Sequence, residues 1–192
     1  KKAMHQALSV LGFKLEGRII MRHPGYEMND RLMLYRINYE DWTVELDSGV
    51  YPLNTHDFPT VDPADPYRLT DEEQELVDEY VSAFKESQPL RRHLDFIYQK
   101  GSTYLCCNGN LLGCIPMTPD GKFASVRHGG RWYSGRALMD YADAVVKSAW
   151  ARGDESALDM MWYLWCGNNS PFSGRVFHTF ERAVVDDKST WV

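Results

Sequence analysis

What this 192-residue chain lacks narrows its class before any motif is read. No apolar run approaches the roughly 20 residues that a membrane-crossing helix needs, so no membrane role is expected. The opening Lys1-Lys2-Ala3-Met4-His5-Gln6 carries charge, with no apolar core and no cleavage signal behind it. That start implies no export and a cytoplasmic location. Cysteine is scarce. Cys106, Cys107, Cys114 and Cys166 make no C-x₂-C pair, and adjacent Cys106 and Cys107 on a strand would face opposite ways. Neither a structural zinc site nor disulfides are expected, which leaves small buried thiols in a reducing compartment. Clustered positive charge is short too. The formal net charge is −6, and basic clusters such as Arg91-Arg92-His93 are offset by Asp71-Glu72-Glu73. Nucleic-acid binding needs clustered cations to release counterions from a polyanion, so no nucleic-acid partner is expected. A local cationic pocket for a sugar phosphate is compatible with that balance.

What is present reads as a globular protein of mixed α and β structure. Hydrophobic residues make up 44% and charged residues 25%, which argues against disorder. Such a length suits one domain, or a domain with a subdomain. Met4, Leu8, Leu11, Leu15 and Ile19 recur at helical spacing, and His23-Pro24-Gly25 is the stop. The helix has no capping residue before it, as if cut from something longer. Trp42, Val44 and Leu46 alternate ahead of Asp47-Ser48-Gly49, a hairpin signal reaching Leu53. Pro59, Pro63 and Pro66 then make an extended stretch that only packing can order.

Thr70 and Glu73 form a capping box for a helix to about Glu86. A second helix runs from near Ser87, with Pro89 in its first turn, to Gly101, and its buried stripe is Leu90, Leu94, Ile97 and Tyr98. Thr103 to Cys107 and Leu111 to Ile115 read as short buried strands around Asn108-Gly109-Asn110. Phe123 to Val126 and Arg131 to Tyr133 make another hairpin around His128-Gly129-Gly130. Ser134 caps a helix with Leu138, Tyr141, Ala142, Val145 and Ala149 facing inward. From Glu155 to Trp165 a helix is apolar nearly all round, the pattern of an element sunk in a core. Beyond Gly167 comes a loop rich in Asn, Ser, Pro and Gly, and no closing element precedes Val192.

Several runs carry a family resemblance: Phe13-Lys14-Leu15-Glu16-Gly17, Asp30-Arg31-Leu32, Phe58-Pro59-Thr60-Val61-Asp62-Pro63 and Lys100-Gly101-Ser102. They continue with Asn110-Leu111-Leu112, Gly113-Cys114-Ile115-Pro116 and Tyr133-Ser134-Gly135-Arg136-Ala137-Leu138. The last are Met161-Trp162-Tyr163-Leu164-Trp165-Cys166-Gly167, Asn169-Ser170-Pro171 and Thr179-Phe180-Glu181-Arg182. In this order and spacing the chain resembles class III fructose-1,6-bisphosphatase, of the calcineurin-like metallophosphatases. The resemblance implies an α+β fold, part of a metallophosphatase β-sandwich flanked by helices. Residues 25–100 would be a hairpin-containing insertion subdomain, and 101–192 would return to the phosphatase core. It also implies manganese in the intact enzyme, as paired cations bridged by a water that becomes the nucleophile.

The family's ligand runs are Asp-x-His, Gly-Asp-x-x-Asp-Arg-Gly and Gly-Asn-His-Asp, with later isolated histidines, one of them in a Gly-His run. None of these runs occurs here. The family also places a bulky aromatic and a liganding His between its Leu-Leu and Gly-Cys-Ile-Pro runs, whereas Leu112 is followed directly by Gly113. Either those residues are deleted, which removes a ligand, or the sequence skips them. No metal ligand and no catalytic residue is therefore carried over, and the segment alone is expected to be inactive.

The loop after Gly167 is the expected substrate-side site. Related protein phosphatases use a loop after a Trp-containing run to bring a cation to the phosphate. Arg175 would supply that fork of donors, and Asn169 and Ser170 neutral hydrogen bonds. His128 is expected to serve its turn, His178 its loop, and His5, His23, His56 and His93 have no second His at ligand spacing. The expected partners are fructose 1,6-bisphosphate for the intact enzyme, the remainder of the same polypeptide, and, compatibly, a second copy in a homo-oligomer. Rival readings are a serine/threonine-type protein phosphatase of the same superfamily, and a non-catalytic relic or regulatory and assembly module.

Overall fold

The computed structural model describes residues 2–47, 49–54, 56, 58–100, 117–168, 170 and 172. They fall into two compact units divided between Tyr80 and Val81. The expected strands Thr103 to Cys107 and Leu111 to Ile115, with Cys106, Cys107 and Cys114, lie outside the described residues.

The first unit opens with α1 (Lys2–Arg22), then 3₁₀ turns at Pro24–Tyr26, Asn29–Arg31 and Met33–Arg36. Pro24 sits in the first turn after the helix, where its missing N–H costs nothing. An antiparallel sheet follows in the order β1 (Ile37–Asn38), β2 (Thr43–Leu46), β3 (Gly49–Pro52). The β2–β3 hairpin has the expected place, with Val44 opposite Tyr51 and Leu46 opposite Gly49. Two-residue β1 was not anticipated, because a strand that short leaves no alternation to read. Phe13, Leu34, Val44, Leu53, Phe58 and Tyr67 belong to one hydrophobic core, so the proline-rich stretch is ordered by packing.

The buried face of α1 differs from the expected stripe. Met4 and Leu8 are exposed, Leu15 and Ile19 are half-buried, and Leu11 is buried alongside Val10, Phe13, Lys14, Gly17 and Ile20. A lysine occupies the middle of the inner face, and a stripe drawn through apolar residues alone must rotate away from it.

Helix α2 (Asp71–Glu86) begins at the capping box: the Thr70 N–H donates to Glu73 Oε2 at 3.0 Å, and the Glu73 N–H to Thr70 Oγ1 at 3.2 Å. The division between the units falls within this helix.

In the second unit come α3 (Gln88–Lys100), a hairpin of β4 (Ser125–His128) and β5 (Arg131–Ser134), then α4 (Gly135–Arg152) and α5 (Glu155–Cys166). Gly129 and Gly130 both have positive φ, 56° and 79°, as the tight turn between β4 and β5 requires. Helices α4 and α5 pack on each other, and Trp150 Nε1 of α4 donates to Asp95 Oδ1 of α3 at 3.2 Å. Three expectations are corrected. Ser134 stands at the N-cap of α4 but its side chain makes no capping hydrogen bond. The α3 stripe is only half-buried, with Tyr98 exposed. Helix α5 is buried on one side, by Ala157, Met160, Tyr163 and Leu164, while Leu158 and Trp165 face solvent. Together the units make a mixed α and β chain in which helix predominates and the sheets are small.

Candidate functional site

Three of the runs that carry the family resemblance, Phe13 to Gly17, Asp30 to Leu32 and Phe58 to Pro63, meet in the first unit. Lys14 is fully buried, and its Nζ donates to Glu73 Oε2 at 2.7 Å and to the Thr60 carbonyl at 2.5 Å. Glu73 serves two elements: it closes the cap of α2 and pairs with the lysine of α1. Burial alone would raise the Glu73 carboxyl. Hydrogen bonds from Lys14, the Thr70 backbone and Thr60, with the Lys14 charge, outweigh burial and hold it below the ordinary range. Arg31, of the Asn29–Arg31 turn, pairs with Glu16 of α1. The Glu16 carboxyl is pushed up, because burial outweighs the opposing Arg31 charge, with Asp30 adding to the rise. Gly17 lies against the Tyr67 ring, whose hydroxyl accepts the Leu34 N–H at 3.0 Å.

Beside this cluster opens a cleft of about 500 Å³ lined by Arg18, Asp65, Arg68, Thr70, Asp71 and Gln74 among others. Its two guanidinium groups are matched by two carboxylates, so charge alone selects no ligand of either sign.

In the second unit, the loop after α5 holds Ser170, one of the expected substrate-side residues. Ser170 is 2% exposed. Its Oγ donates to the Leu164 carbonyl at 2.5 Å and accepts the Phe172 N–H at 3.2 Å. The Ser170 N–H donates to the Gly167 carbonyl at 3.1 Å. These bonds satisfy a carbonyl in the last turn of α5 and fold the start of the loop back onto the helix end. Gly167 is needed for the close approach: a Cβ there would stand 2.6 Å from the Tyr163 carbonyl oxygen. Asn169 and Arg175 lie outside the described residues, as do His178, Arg182 and the Leu112–Gly113 junction.

His128, expected to serve a turn, ends β4, and its Nδ1 lies 2.6 Å from the Tyr141 hydroxyl. Burial, with the neighbouring Tyr133, pushes that hydroxyl up to about 12, and the Tyr133 and Tyr141 rings stack at 4.1 Å. The pair ties the hairpin to α4. Among the described residues no three or more His, Cys, Asp or Glu side chains gather where they could hold a metal ion. The described residues therefore do not fit a manganese site. No described helix is long and apolar enough to cross a membrane.

Sequence reasoning missed Lys14 as the hub of the first unit. Val10 and Leu11 lie four and three residues before it, but that spacing does not tell a buried lysine from an exposed one, and its partner Glu73 is 59 residues away.

Comparison with known proteins brings in the family. The family model described as Firmicute fructose-1,6-bisphosphatase matches residues 1–192. A fructose-1,6-bisphosphatase class 3 of Clostridium novyi (strain NT) is 46% identical over 197 aligned residues, covering 98% of this chain and 30% of the relative. The protein of the same name from Porphyromonas gingivalis is 45% identical over 195 residues, covering 97% of this chain and 30% of the relative. That of Clostridium acetobutylicum is 44% identical over 195 residues, covering 97% and 29%. This chain thus spans about 30% of the length of these relatives. No solved structure matches it significantly. On the match across its whole length, the chain belongs to the Firmicute fructose-1,6-bisphosphatase family.

Proposed function

We propose that these 192 residues are the scaffold and substrate-side segment of a fructose-1,6-bisphosphatase, which hydrolyses the 1-phosphate of fructose 1,6-bisphosphate to fructose 6-phosphate and phosphate in gluconeogenesis. The observation that carries the reading is the family match from residue 1 to 192, with relatives of that name at 44–46% identity. The family-length enzyme is cytoplasmic and uses manganese, held by residues outside this segment. In it, residues 25–100 form an insertion subdomain, and 101–192 join the metallophosphatase β-sandwich.

The loop after Gly167 faces the substrate phosphate, with Arg175 supplying charge and Asn169 neutral donors. Ser170 donates to a phosphate oxygen only by exchanging its bond to the Leu164 carbonyl, and otherwise anchors the loop. A non-catalytic assembly role is the second reading, favoured by the direct Leu112–Gly113 junction.

The test is phosphate release by the family-length protein with manganese, from fructose 1,6-bisphosphate and from a phosphopeptide. Turnover of the sugar bisphosphate alone supports the reading. Preference for the phosphopeptide supports a protein phosphatase, and no turnover of either supports the assembly role.

A further inference from the structure

Two surfaces carry charge of opposite sign with no partner among the described residues. From Gly121 to Arg136 the chain holds Lys122, Arg127, Arg131 and Arg136 and no acidic residue, in a sequence of net charge −6. Lys122 pairs with Asp120 and Arg136 with Asp140, whereas among the described residues no carboxylate pairs with Arg127 or Arg131. Arg127 stands opposite Trp132 in the β4–β5 hairpin, its guanidinium carbon 5.9 Å from the indole centroid. Side chains alternate along a strand, so this pair lies on the hairpin face away from buried Val126, and Trp132 is 68% exposed. Trp and Arg are among the residues that most often anchor protein contacts.

The opposite sign lies on α2, whose sole basic residue is Lys85. Glu75 and Glu79 are exposed and four residues apart, hence on one stripe, which Glu72 and Glu86 extend. Among the described residues no cation pairs with Glu75 or Glu79. Like charges at that spacing destabilise a helix, and Glu86 at its C-terminal end opposes the helix dipole. We propose that the Arg127–Trp132 face of the hairpin, with Arg131 beside its turn, docks the Glu75–Glu79 stripe of α2 from a second copy of the chain. Charge complementarity argues for that occupant: cations without carboxylates meet carboxylates without cations, which relieves the like-charge cost on α2. Arg127 offers a planar fork of donors to the glutamates, and the Trp132 ring beside it keeps water from the pairs. The contact joins unlike faces, so each copy brings one of each.

Charge reversal on the family-length protein tests it with two variants, one carrying Arg127→Glu and Arg131→Glu, the other Glu75→Arg and Glu79→Arg. All four side chains are exposed, and far-UV circular dichroism checks that each variant keeps its fold. In sedimentation velocity the unmodified protein is expected to self-associate, and raising NaCl from about 0.05 to about 0.5 M should weaken that association at least about tenfold. Each variant alone is expected to sediment as a monomer, because its hairpin and α2 then carry the same sign. An equimolar mixture of the two should associate again, since each hairpin once more meets an α2 of opposite sign. A monomeric unmodified protein overturns the proposal, because the hairpin face is then covered within one chain or left in solvent. A variant that stays associated, or a mixture of folded variants that stays monomeric, overturns it too. If a variant loses its fold, the salt series on the unmodified protein decides, and association indifferent to salt overturns the proposal.

Discussion

Lys14 is held by two acceptors, and one of them also caps a helix. Replacing Glu73 by Ala leaves a buried ammonium facing the Thr60 carbonyl alone. Loss of one partner from a buried pair costs about 3–5 kcal/mol. Urea unfolding should show that loss for Glu73→Ala, against less than about 0.5 kcal/mol for the exposed neighbour in Glu72→Ala. The sign with pH follows from the depressed Glu73 carboxyl. Its contribution is fully present above the ordinary value of 4.5 and is lost as pH falls through the lower folded value. The unfolding midpoint should drop on acidification below 4.5, and Glu73→Ala should flatten that drop. Ser170→Ala leaves the Leu164 carbonyl and the Phe172 N–H without their hydroxyl partner, and the same measurement should register about 1–3 kcal/mol.

At the scale of elements, α1 contains glycines with opposite expectations. A Cβ on Gly17 would stand 2.1 Å from Tyr67 Cε1, and the ring cannot swing away without losing the Leu34 N–H. Gly17→Ala should therefore lower stability by about 1–3 kcal/mol. Gly12 has nothing within 4 Å, so Gly12→Ala should raise stability by about 0.4–1 kcal/mol through the unfolded chain. Thermal midpoints moving in the same direction for both variants would contradict this packing of α1.

Element positions were largely legible, because capping boxes, Gly-Gly turns and helical spacing are local signals: Thr70 with Glu73, Gly129 with Gly130, Leu138 with Val145 and Ala149. Burial faces were less so. Lys14 is buried because a carboxylate 59 residues away reaches it, and no local window contains both. Of the expected phosphate loop, Ser170 could be read as polar from the sequence, but its hydroxyl's commitment to α5 depends on how the chain turns back after Gly167.

At the scale of the whole molecule, the family runs in the first unit serve packing and ion pairing, and Ser170 of the second folds its loop onto α5. Among the described residues, no three or more His, Cys, Asp or Glu side chains could hold a metal ion together. The direct measurement is calorimetric titration of the 192-residue chain with Mn²⁺. The account predicts no stoichiometric uptake, because the proposed function places the metal ligands on parts of the family-length enzyme beyond this segment. Tight binding of a pair of manganese ions by the chain alone would contradict it.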